Sequence, residues 1–122
     1  MRVLLDTHVL LWAVLDDPRL TETQARAISD GDLYLSAASV WEVGIKRAIG
    51  KLDIPGELFD IAADAGCRPL PISWGHAAAA ATLPMHHADP FDRMLVAQAR
   101  CEGLSLASSD RKLAAYDVDL VA

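Results

Sequence analysis

The sequence predicts a three-layer α/β fold with a central, mostly parallel β-sheet. Short apolar runs alternate along the chain with longer segments of helical periodicity, the pattern of successive strand–helix units. The first run, residues 1–5, is apolar apart from Arg2, as expected of a strand buried on both faces. No internal repeat, linker or low-complexity segment divides the 122 residues, so we expect one domain over residues 1–122.

The first half of the chain supplies two strands and three helices. After the strand at 1–5 we predict a helix at 8–15, a helix from the capping residue Thr21 to about residue 29, and a strand at 33–35. Thr21 and Gln24 form a capping-box pattern. Ser36 or Ser39 opens the third helix, which Gly50 is placed to end. Its apolar surface is predicted to come from Val40, Trp41, Val43, Ile45 and Ile49.

The second half continues the alternation. A loop at 52–56 precedes a helix at 57–65, and the two prolines within 67–72 restrict that segment to an edge strand or an extended chain. A helix at 74–82 follows. Asp89 is a good N-cap and Pro90 suits the first position of a helix that ends near Gly103. We then predict a strand at 104–107, one or two helical turns at 110–116 and a terminal strand at 118–121.

The composition excludes several classes of protein. Its 52% hydrophobic and 23% charged residues are typical of a soluble globular domain, and no apolar run approaches the ~18 residues that span a bilayer. Asp6 interrupts the N-terminal apolar segment, which is unlike a signal peptide, and the two cysteines lack metal-site spacing, so we expect a cytoplasmic protein. With a net charge of −6, any nucleic-acid binding must depend on a local basic patch, a bound cation or a partner.

Four acidic residues are predicted to meet at one edge of the sheet. Asp6 ends the first strand, Glu42 lies early in the helix after the second strand, Asp92 starts a later helix, and Asp110 follows the strand at 104–107. Ligands of open parallel sheets gather beyond the carboxyl ends of the strands. Carboxylates ~5 Å apart repel by about 3 kcal/mol per pair at an effective dielectric near 20, so such a cluster needs a cation or protons.

Oxygen ligands without cysteine favour Mg²⁺ or Mn²⁺, and such ions activate water against phosphodiesters. In this hypothesis Asp6 and Asp92 are the principal ligands, Asp110 is a ligand or accepts a hydrogen bond near the ion, and Glu42 is a ligand or a general base. A supporting set would neutralise a phosphate, hold waters or orient carboxylates. Arg93 is assigned the phosphate, and the waters and carboxylates are assigned to Thr7, Ser39 and Ser108.

Each candidate also has a purely structural interpretation. Asp6 and Asp110 are both placed to cap helices, and Glu42 could be a solvated acid on a helix surface. His86 and His87 lack the spacing of a helical zinc pair, which favours loop packing. The three tryptophans, Trp12, Trp41 and Trp74, are expected in the core rather than as base-stacking platforms.

The ordered motifs resemble those of the PIN-domain family, and more narrowly of VapC-type toxin ribonucleases. The similar segments are Leu-Leu-Asp-Thr-His at 4–8, Ser-Ala-Ala-Ser-Val-Trp-Glu at 36–42, His-Ala-Asp-Pro-Phe-Asp-Arg-Met-Leu-Val-Ala-Gln-Ala at 87–99 and Ser-Ser-Asp-Arg-Lys-Leu at 108–113. The resemblance implies a Mg²⁺- or Mn²⁺-dependent endoribonuclease of single-stranded RNA, with Asp6, Glu42, Asp92 and Asp110 as its acidic site. It also implies a small antitoxin partner and a homodimer.

The pattern departs from the broader family after the strand at 104–107, where Arg111-Lys112 follows Asp110 instead of another acid. One ion is therefore better supported than two. Two alternative functions stay open at this stage. One is a phosphatase of the haloacid-dehalogenase type with Asp6 as nucleophile, although His8 stands where that family has a second aspartate. The other is a non-catalytic module whose acids bind an arginine-rich partner.

Overall fold

A single sheet organises the chain. The computed structural model describes residues 1–51 and 54–122. Within them five strands, β1 (Arg2–Leu5), β2 (Asp32–Ser36), β3 (Arg68–Leu70), β4 (Ser105–Ala107) and β5 (Leu120–Val121), form a sheet of order β3-β2-β1-β4-β5. All four strand pairings are parallel, which confirms the predicted α/β class with a parallel central sheet.

The helices begin and end close to where the sequence places them. They are α1 (Thr7–Val14), α2 (Glu22–Asp30), α3 (Ala37–Ala48), α4 (Leu58–Asp64), α5 (Trp74–Ala81), α6 (Pro90–Glu102) and a 3₁₀ helix, Arg111–Ala115. The Thr21–Gln24 capping box is formed, and Gly103 ends α6 in the left-handed conformation. None of these described helices has the length and apolar character to cross a membrane. Leu52 and Asp53 of the predicted 52–56 loop lie outside the described residues.

The core explains why β1 is apolar at three consecutive positions, Val3 to Leu5. Alternate side chains of β1 point to opposite faces, so Val3 and Leu5 enter one hydrophobic cluster while Leu4 enters the other. The first cluster includes Val9 of α1, and the second includes Val96 of α6. Strand β3 lies at the edge of the sheet, where its proline, as expected, interrupts no interior ladder.

Two tryptophans and much of the apolar surface of α3 are not in the core, contrary to the sequence prediction. Trp41 is 65% exposed and Trp74 is 95% exposed, while Trp12 is half-buried. Five residues are predicted to supply the apolar surface of α3, and of these Val43 is buried. The other four are exposed: Val40, Trp41, Ile45 and Ile49. The reason is that the inward face of α3 is occupied by Ala38, Ser39, Glu42 and Val43.

Candidate active site

Three of the four predicted acids line one cavity beside the carboxyl ends of β1 and β4. Asp6 directly follows β1, Asp110 lies three residues after β4, and Asp92 is in the first turn of α6. The cavity measures about 350 Å³ and is lined by Asp6, His8, Trp12, Arg19, Asp92, Ser109 and Asp110. The topology therefore places carboxylates from distant parts of the sequence at one edge of the sheet, as expected for an open parallel sheet.

Glu42, the fourth acid, is buried beside this cavity rather than solvated on the surface of α3. It is 4% exposed, and its two carboxylate oxygens accept different hydrogen bonds. The Thr7 hydroxyl donates to Oε1 at 2.6 Å, and Lys46 Nζ donates to Oε2 at 2.7 Å. The negative charge of Glu42 contributes to raising the pKa values of Asp6 and Asp92. Glu42 therefore interacts electrostatically with the acids of the cavity. Thr7 thus orients a carboxylate, as the sequence suggested for it.

Asp6 combines a structural and an electrostatic role. Its Oδ1 accepts a 2.7 Å hydrogen bond from the amide of Val9 and so caps α1. Burial raises the pKa of Asp6, and the charge of Glu42 raises it further. Hydrogen bonding by Ser108 and by the Val9 amide opposes that rise. The capping interpretation is therefore correct, and it does not remove Asp6 from the acidic cluster.

Asp92 is the carboxyl group most affected by its neighbours. Its pKa is raised to about 7, first by burial and then by the negative charges of Asp89, Asp6 and Glu42. His87 acts in the opposite direction. Burial therefore disfavours the charged form of this carboxyl group, and the three neighbouring acids add to that effect.

His87 is a site residue that the sequence analysis missed. Its Nε2 lies 2.9 Å from Oδ2 of Asp92 and 2.8 Å from Oδ2 of Asp110. One ligand atom from each of these three residues lies within 4.8 Å of the others. The expectation of simple loop packing is therefore wrong for His87, whereas His86 packs its ring against Tyr116 at 5.1 Å. The available signal was its position two residues before the helix cap Asp89.

Arg93 does not point toward the site, which corrects its predicted role on a phosphate. Its guanidinium is buried and donates to the backbone carbonyls of Ala80 in the last turn of α5 and of the loop residues Leu83, Pro84 and His87. It also lies 3.3 Å from the hydroxyl of Tyr116. Arg93 belongs to the buried face of α6, and the carbonyls of the preceding loop need donors there. Its role is to hold the loop between α5 and α6.

The remaining predicted residues differ in what they contact. Ser108 Oγ accepts a 3.1 Å hydrogen bond from the amide of Asp110, whose own Oδ1 caps the 3₁₀ helix through Lys112. The buried hydroxyl of Ser39 has no hydrogen-bond partner in the described part of the chain, so it orients no carboxylate. Asp89 caps α6 through the amides of Phe91 and Asp92, as predicted.

The cavity mouth also has an unforeseen basic group. Arg19 makes a two-point ion pair with Asp17, with contacts of 3.1 and 2.8 Å, and its guanidinium lies 5.3 Å from the ring centroid of Trp12. Both Arg19 and Trp12 line the cavity that holds Asp6 and Asp92. No periodic pattern indicates the contact between Trp12 and Arg19, because the two residues belong to different local segments.

The residues present fit a hard divalent cation. The donors are carboxylate oxygens with no thiolate among the cavity residues, which is the chemistry preferred by Mg²⁺ and Mn²⁺. Burial and the neighbouring acids raise the pKa of Asp92, and a bound cation would offset both effects. Asp6 and Asp110 each use Oδ1 as a cap, and every carboxylate oxygen has more than one acceptor position.

Fold and site together define an α/β domain with a parallel sheet and an acidic cavity at its carboxyl edge. The family model for the PIN domain matches residues 3–119. The chain therefore belongs to the PIN-domain family, whose members are nucleases that use divalent metal ions. No curated protein matches the sequence.

Solved structures share this fold over nearly their whole length. A chain of VapBC2 from Rickettsia felis, determined with a DNA fragment from its promoter, is similar with a TM-score of 0.72 at 14% identity, covering 98% of this chain and 97% of that one. A toxin–antitoxin complex from Klebsiella pneumoniae gives 0.70 at 18% identity, with coverage of 98% and 96%. FitAcB from Neisseria gonorrhoeae gives 0.68 at 24% identity, with coverage of 98% and 96%. At these identities the likeness concerns the fold.

Proposed function

We propose that this protein is a Mg²⁺- or Mn²⁺-dependent endoribonuclease that acts as the toxin of a toxin–antitoxin pair. The observation that supports this most is the convergence of Asp6, Asp92 and Asp110 on one cavity. Burial and then the negative charges of nearby acids raise the pKa of Asp92 to about 7 there. A nuclease of this family requires such a cluster to hold its cation. Membership in the PIN-domain family makes phosphodiester hydrolysis the preferred chemistry over phospho-aspartate formation at Asp6.

The proposed roles follow from the hydrogen bonds that each acid makes. Asp6 and Asp92 bind the ion, and Asp110 binds it or supports it through the oxygen that faces His87. Glu42 is held by Thr7 and Lys46, so it is oriented to accept a proton from a water or to bind the ion through a remaining lone pair. The ion lowers the pKa of a bound water and stabilises the leaving oxygen of the phosphodiester.

Partners are proposed from the relatives and from the surface. The similar chains from Klebsiella and Rickettsia come from toxin–antitoxin and VapBC complexes, which supports an antitoxin partner for this chain. A homodimer is proposed from the motif resemblance alone. Trp41 and Val40 are exposed and line an apolar groove of about 680 Å³ that extends to the β3 edge. Both cysteines are free thiols, consistent with the cytoplasm.

The test is cleavage of single-stranded RNA by purified protein with Mg²⁺ or Mn²⁺. We expect Asp6→Asn and Asp92→Asn to lose most of the activity while keeping their circular dichroism spectra, because asparagine preserves shape and removes charge. The matched control is Asp64→Asn on the exposed surface of α4, which should keep full activity. Full activity in both site variants would eliminate the metal hypothesis. If the wild type cleaves no RNA with either ion and binds an arginine-rich partner tightly, the non-catalytic module would be favoured.

A further inference from the structure

We propose that His87 is a positioning residue of the acidic site, holding Asp92 and Asp110 in the arrangement that binds the cation. This inference rests on the proposed metal-dependent function. It assigns His87 a role toward the two carboxylates and not as a ligand of the ion.

The hydrogen bonds identify which nitrogen of His87 has the proton. The backbone N–H of Asp89 points at Nδ1 from 3.4 Å, so Nδ1 acts as the acceptor. The neutral ring then bears its proton on Nε2, which faces Oδ2 of Asp110 at 2.8 Å and Oδ2 of Asp92 at 2.9 Å. One N–H is shared between the two carboxylates. Nε2 has no free lone pair in this tautomer, so the imidazole joins the acids instead of binding the metal.

The loop that presents His87 is fixed on both sides of the residue. The Tyr116 hydroxyl accepts hydrogen bonds from the amides of His86 and His87, at 3.2 and 3.1 Å, and donates to the carbonyl of Pro84 at 2.7 Å. Arg93 donates to the carbonyl of His87 at 3.3 Å. The backbone of His87 is therefore held at both its N–H and its C=O, and its side chain is mostly buried.

The need for a positioning group follows from where the two acids lie. Asp92 is in the first turn of α6, whereas Asp110 precedes the 3₁₀ helix, and no ladder or helix links these elements directly. Two anions in this environment repel each other, and Asp92 already experiences the charges of three other acids. The shared donor keeps both carboxylates converged. Hydrogen-bond partners of metal ligands typically change metal affinity by about 10–100-fold when removed.

The experiment is a calorimetric titration of the metal-free full-length protein with Mn²⁺. His87→Ala should weaken Mn²⁺ binding by about 10–100-fold. His87→Gln should recover most of the affinity, because its side-chain amide presents an N–H near the place of Nε2. The matched control is His86→Ala, which removes the neighbouring imidazole that packs on Tyr116 and touches neither acid, and it should bind Mn²⁺ like the wild type. RNA cleavage by His87→Ala should recover at saturating Mn²⁺, which shows a change in metal affinity and not in turnover.

Two results overturn the inference in distinguishable ways. If wild type binds Mn²⁺ and His87→Ala binds it equally or more tightly, His87 is only a counter-charge or a spectator, while the proposed function stands. If the wild type binds no Mn²⁺, the proposed function fails together with the positioning role. Thermal unfolding shows whether His87→Ala still folds. If it does not, His87→Gln is the deciding variant: a Mn²⁺ affinity of His87→Gln as low as that of Asp92→Asn would contradict the shared hydrogen bond.

Discussion

Capping fixes the direction of the acids at this site. Asp6, Asp89 and Asp110 each use Oδ1 to accept backbone amide hydrogen bonds at the start of a helix. The hydrogen bond that caps the helix already fixes the carboxylate, so its second oxygen is oriented without a further loss of conformational freedom. Capping a helix and binding a metal ion, which the sequence presents as alternatives, are therefore compatible roles for Asp6 and Asp110. Asparagine, a good cap without charge, separates the two roles experimentally.

The pKa of Asp92 makes a prediction about stability and pH. Its pKa rises from 3.8 to about 7 on folding, so between these values the folded state holds a proton that the unfolded state has lost. The free energy of unfolding attributable to Asp92 is therefore intact below pH 4, falls as the pH rises, and is lowest above pH 7. In metal-free protein, Asp92→Asn should be more stable than wild type at pH 8 by roughly 1–2 kcal/mol after allowance for solvent screening, and nearly equal at pH 4.

Urea unfolding at several pH values, with chelator present, measures this difference. Asp64→Asn, an exposed acid on α4, serves as the control and should follow the wild type throughout. Adding Mg²⁺ should stabilise the wild type more at pH 8 than at pH 5, because a protonated Asp92 binds the ion poorly. A variant less stable than wild type at pH 8 would show that the Asp92 carboxylate is structural.

At the scale of elements, Arg93 holds the loop between α5 and α6, alongside the hydrogen bonds of the Tyr116 hydroxyl. Arg93→Ala would leave the carbonyls of Ala80, Leu83, Pro84 and His87 without this donor. We expect the free energy of unfolding to fall by about 2–3 kcal/mol, since buried hydrogen bonds to a charged group are among the stronger ones. Arg100→Ala, an exposed arginine of the same helix, is the control and should change stability little. Denaturant titration measures both variants, and equal stability of Arg93→Ala and Arg100→Ala would refute the role of Arg93 in holding the loop.

The outer face of α3 leads to a contrasting prediction. Trp41 is exposed and meets Phe91 edge-on at 5.4 Å, a contact worth about 0.5–1.5 kcal/mol. Trp41→Ala should therefore lower the free energy of unfolding by less than about 1.5 kcal/mol. Trp12→Ala, which removes a side chain packed against the first hydrophobic cluster, should cost more. A larger loss at Trp41 in thermal and urea unfolding would mean that the tryptophan supports the fold instead of offering surface to a partner.

Elements could be predicted from the sequence because their signals are local. The capping pair Thr21–Gln24, the Asp89–Pro90 start of α6 and Gly103 act within a few residues. The destinations of side chains on those elements could not be predicted in the same way. Arg93 faces a loop, His87 reaches two acids, and Trp41 faces outward because of tertiary packing that no periodic pattern encodes. The convergence of Asp6, Asp92 and Asp110 could be predicted because the carboxyl ends of parallel strands lie at the same edge of a sheet, where ligands gather.

For the whole molecule, the net charge limits how the proposed RNA substrate could be bound. The net charge of −6 opposes binding of a polyanion, and the cavity offers Arg19 at its mouth as a local positive group. We expect the logarithm of RNA affinity, measured with an inactive Asp6→Asn variant, to fall with the logarithm of salt concentration with a slope of only about two to four. Arg19→Ala should reduce that slope by about one. Fluorescence anisotropy over a salt series measures it, and a slope near ten would reveal a large basic surface.

Asp6, Asp92 and Asp110, which are far apart in the sequence, are proposed to bind one hard divalent ion together. Crystals soaked with Mn²⁺ test this most directly through the anomalous scattering of manganese. We expect a peak within bonding distance of the Asp6 and Asp92 carboxylates, abolished in crystals of Asp92→Asn. Well-diffracting crystals of wild type at neutral pH with no peak at these carboxylates, or with manganese bound elsewhere, would contradict the account.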